Sequence, residues 1–128
     1  RDFDLNYVED PLEDNDLNGI SNFKRGMVCV NSSVGSNFDR FNLVKKNVNS
    51  VVIKPSQVGS LIKTKEMIDA ANENDLNVIL SESSSESNDN LFSHIAVAWN
   101  VSNVKLGITG KERLAKINEF KEIEKSIR

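Results

Sequence analysis

Short apolar runs rich in β-branched residues recur along the chain at 5–8, 27–30, 51–53 and 78–80, and Val104 with its neighbours forms a fifth. Runs of this length and composition predict buried strands. Between them the apolar positions change period. Leu61, Thr64, Ile68 and Ala71 share one face of a helix predicted over 60–72, and Leu91, Ile95 and Ala98 share one over 91–100. From about Lys111 a longer helix lines up Leu114, Ile117, Phe120, Ile123 and Ile127 against a face rich in Glu and Lys. Shorter helices are predicted at 16–23 and 39–46. Regular alternation of strand and helix predicts an α/β architecture, with parallel strands joined by crossover helices.

A polar residue follows each apolar run: Glu9, Asn31, Lys54, Ser81 and Lys105. Their separations are 22, 23, 27 and 24 residues, about one βα unit each. In β/α barrels, function sits where strands end and βα loops begin. One charged residue there is most simply a satisfied structural charge. Two lysines and a glutamate at equivalent places on three strands point to a site. Five units do not close an eight-stranded barrel, so the expected fold is a partial TIM-type β/α barrel with two unpaired edges. An open doubly wound sheet is the geometric alternative. It calls for a glycine-rich phosphate turn after the first strand, and Glu9-Asp10-Pro11-Leu12 is not one.

Composition narrows the classes. The chain has 128 residues, enough for a single domain over 1–128, with 38% apolar and 27% charged residues. A net charge of −3 and the lack of any basic tract argue against binding to nucleic acid or an anionic membrane. No apolar stretch reaches the ~20 residues of a membrane span and no signal peptide opens the chain, so the expected compartment is the cytoplasm. The single cysteine, Cys29, reads as a small buried hydrophobe in a strand. His94 reads as an ordinary helix residue, Trp99 as core or interface packing, and Glu119, Glu122, Glu124 and Lys125 as a solvated helix face. A first residue other than methionine suggests a fragment or a processed product.

At the strand ends the sequence resembles the enolase family. YVEDPLEDND resembles the family's segment ending in Glu-Asp-Pro, IKPSQVGS its Lys-Xaa-Asn-Gln-Ile/Val-Gly-Thr motif, and VKLG followed by KERLAKINEFKEIE its closing Ile-Lys-Thr-Gly and last helix. The resemblance covers nearly the whole chain and implies the C-terminal five βα units of the family's barrel. It places Glu9 at a magnesium ligand, Lys54 at the proton-abstracting lysine and Lys105 at the lysine that holds the substrate carboxylate. Asn31 aligns with a metal aspartate across a small deletion. Gln57 belongs to the second motif and falls among the implied substrate contacts. The family's Ser-His-Arg-Ser-Gly-Glu-Thr-Glu-Asp loop stands here as SESSSESND, so Glu82 replaces the histidine, Ser83 the phosphate-holding arginine, and Ser84 keeps the serine. The family's first metal aspartate, its general-acid glutamates and its N-terminal domain are expected upstream of Arg1.

The implied parent activity is a lyase reaction of glycolysis, the magnesium-dependent dehydration of 2-phosphoglycerate, a small phosphorylated carboxylate, to phosphoenolpyruvate. Such chemistry needs a neutral lysine base and cations beside the developing negative charge. Glu9 with a neutral Asn31 is a poor cage for magnesium, which takes near-octahedral oxygen coordination. Ser83 for arginine removes a bidentate, charge-assisted phosphate contact, and Glu82 adds a negative charge in its place. The expectation is therefore that this chain alone is inactive. A non-catalytic homologue serving assembly or partner binding is the second reading, and a relative acting on a carboxylate without phosphate the third. Unpaired sheet edges predict self-association or pairing with a missing N-terminal half.

Overall fold

The computed structural model describes residues 4–23 and 26–128. Strands β1 (Tyr7–Glu9), β2 (Met27–Val30), β3 (Ser50–Ile53), β4 (Asn77–Ser81) and β5 (Asn103–Lys105) form one sheet in chain order. Every neighbouring pair is parallel. Parallel neighbours need a crossover connection. Helices α1 (Leu17–Ser21), α2 (Phe38–Val44), α3 (Pro55–Val58), α4 (Leu61–Asn72) and α5 (Leu91–Ala98) lie in those connections, and α6 (Lys111–Ile127) follows β5. The result is the expected half-barrel of five βα units.

Strand alternation divides the apolar residues between two faces. Val28, Val30, Val51, Ile53, Val78 and Leu80 face one way and join Ile20, Phe41, Met67, Ile68, Phe92 and Ile95 of the helices in the main core. Cys29, Val52 and Ile79 face the other way and form a separate small cluster. All the helical core residues thus lie on one side of the sheet, and the opposite face carries only its own side chains. In a closed barrel that second face is the interior.

Local signals explain most element ends. The Asn37 side chain caps α2 by accepting from the amides of Asp39 and Arg40, and Ser60 caps α4 through the Lys63 amide. The short α3 was not expected. Pro55 opens it with a preset φ, and Gly59 ends it in the left-handed region at φ 74°. β1 begins two residues later than the apolar run, since the Asn6 carbonyl, with Tyr7 next, accepts from the Met27 amide where pairing starts.

The last helix departs from its predicted face. Phe120 packs against the core, but Leu114 is 46% and Ile127 75% exposed, while the buried residue of α6 is Lys116. α6 packs on α5 rather than on the sheet. The Lys116 ammonium is drawn inward by the carbonyls of Ser87, Asp89 and Glu112 at 2.8, 3.2 and 3.3 Å and by the Glu86 carboxylate at 3.1 Å.

Candidate functional site

Glu9, Ser81 and Lys105 are the last residues of their strands, and Asn31 and Lys54 immediately follow theirs. Parallel pairing puts all five at the same edge of the sheet. The two-residue period puts Glu9 on the face of Tyr7, Asn31 on that of Cys29, Lys54 on that of Val52, Ser81 on that of Ile79 and Lys105 on that of Asn103. That face is the one turned away from the helices. Its curvature encloses a concave volume of about 540 Å³ lined by Tyr7, Glu9, Met27, Ile79 and Lys105 among others.

The first and last strands meet across this concavity through side chains. The Lys105 ammonium donates to both oxygens of Glu9, at 2.7 and 2.8 Å. The Tyr7 hydroxyl donates to Glu9 Oε2 at 2.7 Å and the Asn31 amide nitrogen to Oε1 at 2.9 Å. Burial opposes ionisation of Glu9, whose side chain is 18% exposed, but the donated hydrogen bonds and the Lys105 charge outweigh it and hold the carboxyl below its ordinary range. Burial and the bond to Glu9 push the Tyr7 phenol far up, so it stays a neutral donor. Burial likewise pushes the Cys29 thiol up to about 12.

Beside this group Asp10, at φ 45°, turns its carboxylate onto the next strand end. It accepts from the amides of Asn31 at 2.8 Å and Ser32 at 3.1 Å. The Lys54 amide donates to Ser36 Oγ at 3.0 Å, and that hydroxyl donates to Gln57 Oε1 at 3.3 Å. The Lys54 side chain itself has no hydrogen-bond or ion-pair partner among the described residues. Ser81 is buried and its hydroxyl donates to the Glu82 carbonyl.

Glu82 does not stand free. Its Oε1 accepts from the Gly107 amide at 2.7 Å and from Arg113 Nε at 3.1 Å, and Arg113 also pairs with Glu112. Glu82 Oε2 is buried without a partner among the described residues. The Ser83 amide donates to Glu86, and the Ser83 hydroxyl to the Ser85 carbonyl. Ser84 is exposed. Lys116 holds this loop from below. Tyr7, Asp10, Arg113 and Lys116 are the members of this neighbourhood that sequence reasoning missed. Tyr7 shares the parity of Glu9 on one strand, which was a usable signal; nothing in the sequence announces that Lys116 turns inward.

A family model described as "Enolase, C-terminal TIM barrel domain" matches residues 1–128. The chain belongs to the enolase family. It is 34% identical to an enolase of Archaeoglobus fulgidus, over 95% of this chain and 32% of that protein. It is 36% identical to one of Halorubrum lacusprofundi, over 93% of this chain and 32% of the other. A third, from Picrophilus torridus, is 34% identical over 99% and 34% respectively. The chain thus spans about a third of the length of the curated relatives it matches.

The family implies magnesium, and the donor set here does not fit that ion. Magnesium needs free oxygen lone pairs, usually from one or two carboxylates. Each oxygen of Glu9 already accepts two hydrogen bonds, and a positive ammonium sits against both. The Asn31 amide presents its nitrogen to Glu9, and Asp10 is spent on backbone amides. Among the described residues no three of His, Cys, Asp and Glu group as a metal site.

Proposed function

We propose that this chain is the C-terminal barrel half of an enolase-type protein and that alone it does not carry out the parent reaction, dehydration of 2-phosphoglycerate to phosphoenolpyruvate. Lys54 and Lys105 take the parent's positions for proton abstraction and carboxylate binding. The observation that carries the reading is the state of Lys105. Its ammonium is bound by Glu9 through both oxygens, so a substrate carboxylate must displace an internal carboxylate before it can bind. Proton abstraction from a carbon beside a carboxylate needs that carboxylate held by cations as charge builds. With Lys105 occupied and no metal cage, Lys54 is, among the described residues, the remaining lysine at these strand ends.

Ser83 and Ser84 offer hydroxyls where a phosphate would sit, and Arg113, the nearby guanidinium, is already committed to Glu82 and Glu112. The test is a coupled absorbance assay for phosphoenolpyruvate with purified chain and magnesium. The expected turnover is more than about a hundredfold below that of an ordinary enolase, as removal of key charged groups costs. Turnover closer than that refutes the reading. A second reading, a non-catalytic homologue serving assembly or partner binding, is favoured by the uncovered concave face with its exposed Tyr7. Pairing with an N-terminal half that completes the barrel belongs to either reading, as does a soluble, cytoplasmic setting.

A further inference from the structure

We propose that Lys105 is the resident cation of this site, a tethered ammonium that replaces the divalent ion and keeps it out. Three features of the geometry carry the inference, and none depends on whether the chain turns over any substrate.

The first is saturation. An ionised carboxylate offers about four lone-pair sites, and four donor contacts within 2.9 Å fill them here: two from the Lys105 ammonium and one each from Tyr7 and Asn31. A metal ligated by Glu9 must break at least one of these contacts and stand beside a positive charge at hydrogen-bond distance. The second is orientation. Asn31 could serve a metal only through its amide oxygen, yet it turns its nitrogen toward the carboxylate and donates to Glu9 instead. Tyr7 does the same with its hydroxyl, which donates to Glu9 Oε2 at 2.7 Å.

The third is that the neighbouring carboxylates are already engaged. Glu82, just after β4, is held by the Gly107 amide and Arg113, and Asp10, just after β1, is oriented by the amides of Asn31 and Ser32. Its charge is thereby satisfied by dipoles that belong to the β2–α2 turn. At the mouth itself Glu9 and Lys105 balance each other's charge. A divalent ion added to that pair would leave surplus positive charge at a half-exposed mouth, and nearby like charges repel strongly where solvent is partly excluded. The pair therefore serves as a built-in substitute for the metal, and ligand binding at this mouth should not respond to chelators.

Binding of Mn²⁺ to the whole 128-residue chain, read from the loss of its free-ion paramagnetic resonance signal, tests the proposal. The wild-type chain and Glu9→Gln should give superimposable titrations, because Glu9 is not available to the ion. Lys105→Met keeps the side-chain volume and removes the charge. It should gain a site about tenfold tighter than any in the wild type, and adding Glu9→Gln to it should abolish that site. A wild-type site that disappears in Glu9→Gln overturns the proposal. So does a Lys105→Met chain that retains the far-ultraviolet dichroism of the wild type and gains no Glu9-dependent site. The comparison of wild type with Glu9→Gln decides the matter even if Lys105→Met does not fold. The enzymatic assay above is a separate readout: an active chain whose Glu9 ignores Mn²⁺ would refute the inactive reading and leave this one standing.

Discussion

The ion pairs of Lys116 and of Lys105 sit in opposite surroundings. Lys116 is fully buried, and its ammonium is bonded to three carbonyl oxygens and the Glu86 carboxylate. Removing one partner of such a group leaves the other uncompensated, which is costlier than the pair itself is stabilising. Lys116→Ala should therefore lower stability by about 3 kcal/mol in urea unfolding, and Glu86→Gln by clearly less, because the carbonyls remain. Glu9 and Lys105 sit at the mouth instead, with Lys105 49% exposed, so solvent screening keeps their pair to about 1 kcal/mol. The folded-state pKa of Glu9 lies below the unfolded value of about 4.3. Its contribution is thus complete above that pH and is lost as pH falls through the lower folded-state value. Urea midpoints measured from about pH 3 to about pH 7 should show a shallower acid-side decline in Glu9→Gln than in wild type.

At the scale of elements, the sequence was most readable where one physical cause acted alone. The three central strands follow from apolar β-branched runs that the sheet buries, whereas β1 and β5 hold no buried residue, and α4 follows from a face of Leu61, Thr64, Ile68 and Ala71 of which the core takes up all but Leu61. α6 was found as a helix and mistaken in its face. Periodicity marks where apolar side chains align, but the surface that α6 meets is α5 and a loop of carbonyls, and that environment selects Lys116. α3 was invisible because four residues carry no period, though Pro55 and Gly59 bracket it. The glycine can be tested directly. At Gly59 a Cβ meets nothing within 4 Å, so Gly59→Ala costs only the left-handed backbone strain, about 1 kcal/mol. At Gly26, with φ 67°, the Cβ would lie 2.8 Å from the Asn6 carbonyl oxygen that β1 uses for pairing. Gly26→Ala should cost distinctly more, and thermal melts of the two variants check the order.

For the whole molecule, the strand ends were legible because parallel order and a two-residue period place every such residue on one edge and one face. What joins them was not: that Lys105 reaches Glu9, and that Arg113 claims Glu82, depends on the curl of the sheet and the return of α6. The same curl leaves β1 and β5 as open edges, with Leu5, Tyr7, Val104 and Ile108 exposed. Unpaired edges beside exposed apolar groups recruit partners. Sedimentation velocity over a tenfold range of concentration should show a dimer or larger species, or progressive aggregation. A compact monomer at every concentration with one sharp melt would contradict this.

The strand order, one to five without a skip, also governs how the chain can acquire its shape. Each strand pairs only with its neighbours in sequence, so ordering proceeds through short loops whose closure costs little entropy each. The link from Glu9 to Lys105 is the exception, spanning 96 positions. A rim contact of about 1 kcal/mol cannot offset that closure before the intervening units exist. Folding can accordingly nucleate at any βα junction and spread in both directions, as in a repeat array. The two ends of the sheet are joined at the mouth only when everything between them is already in place.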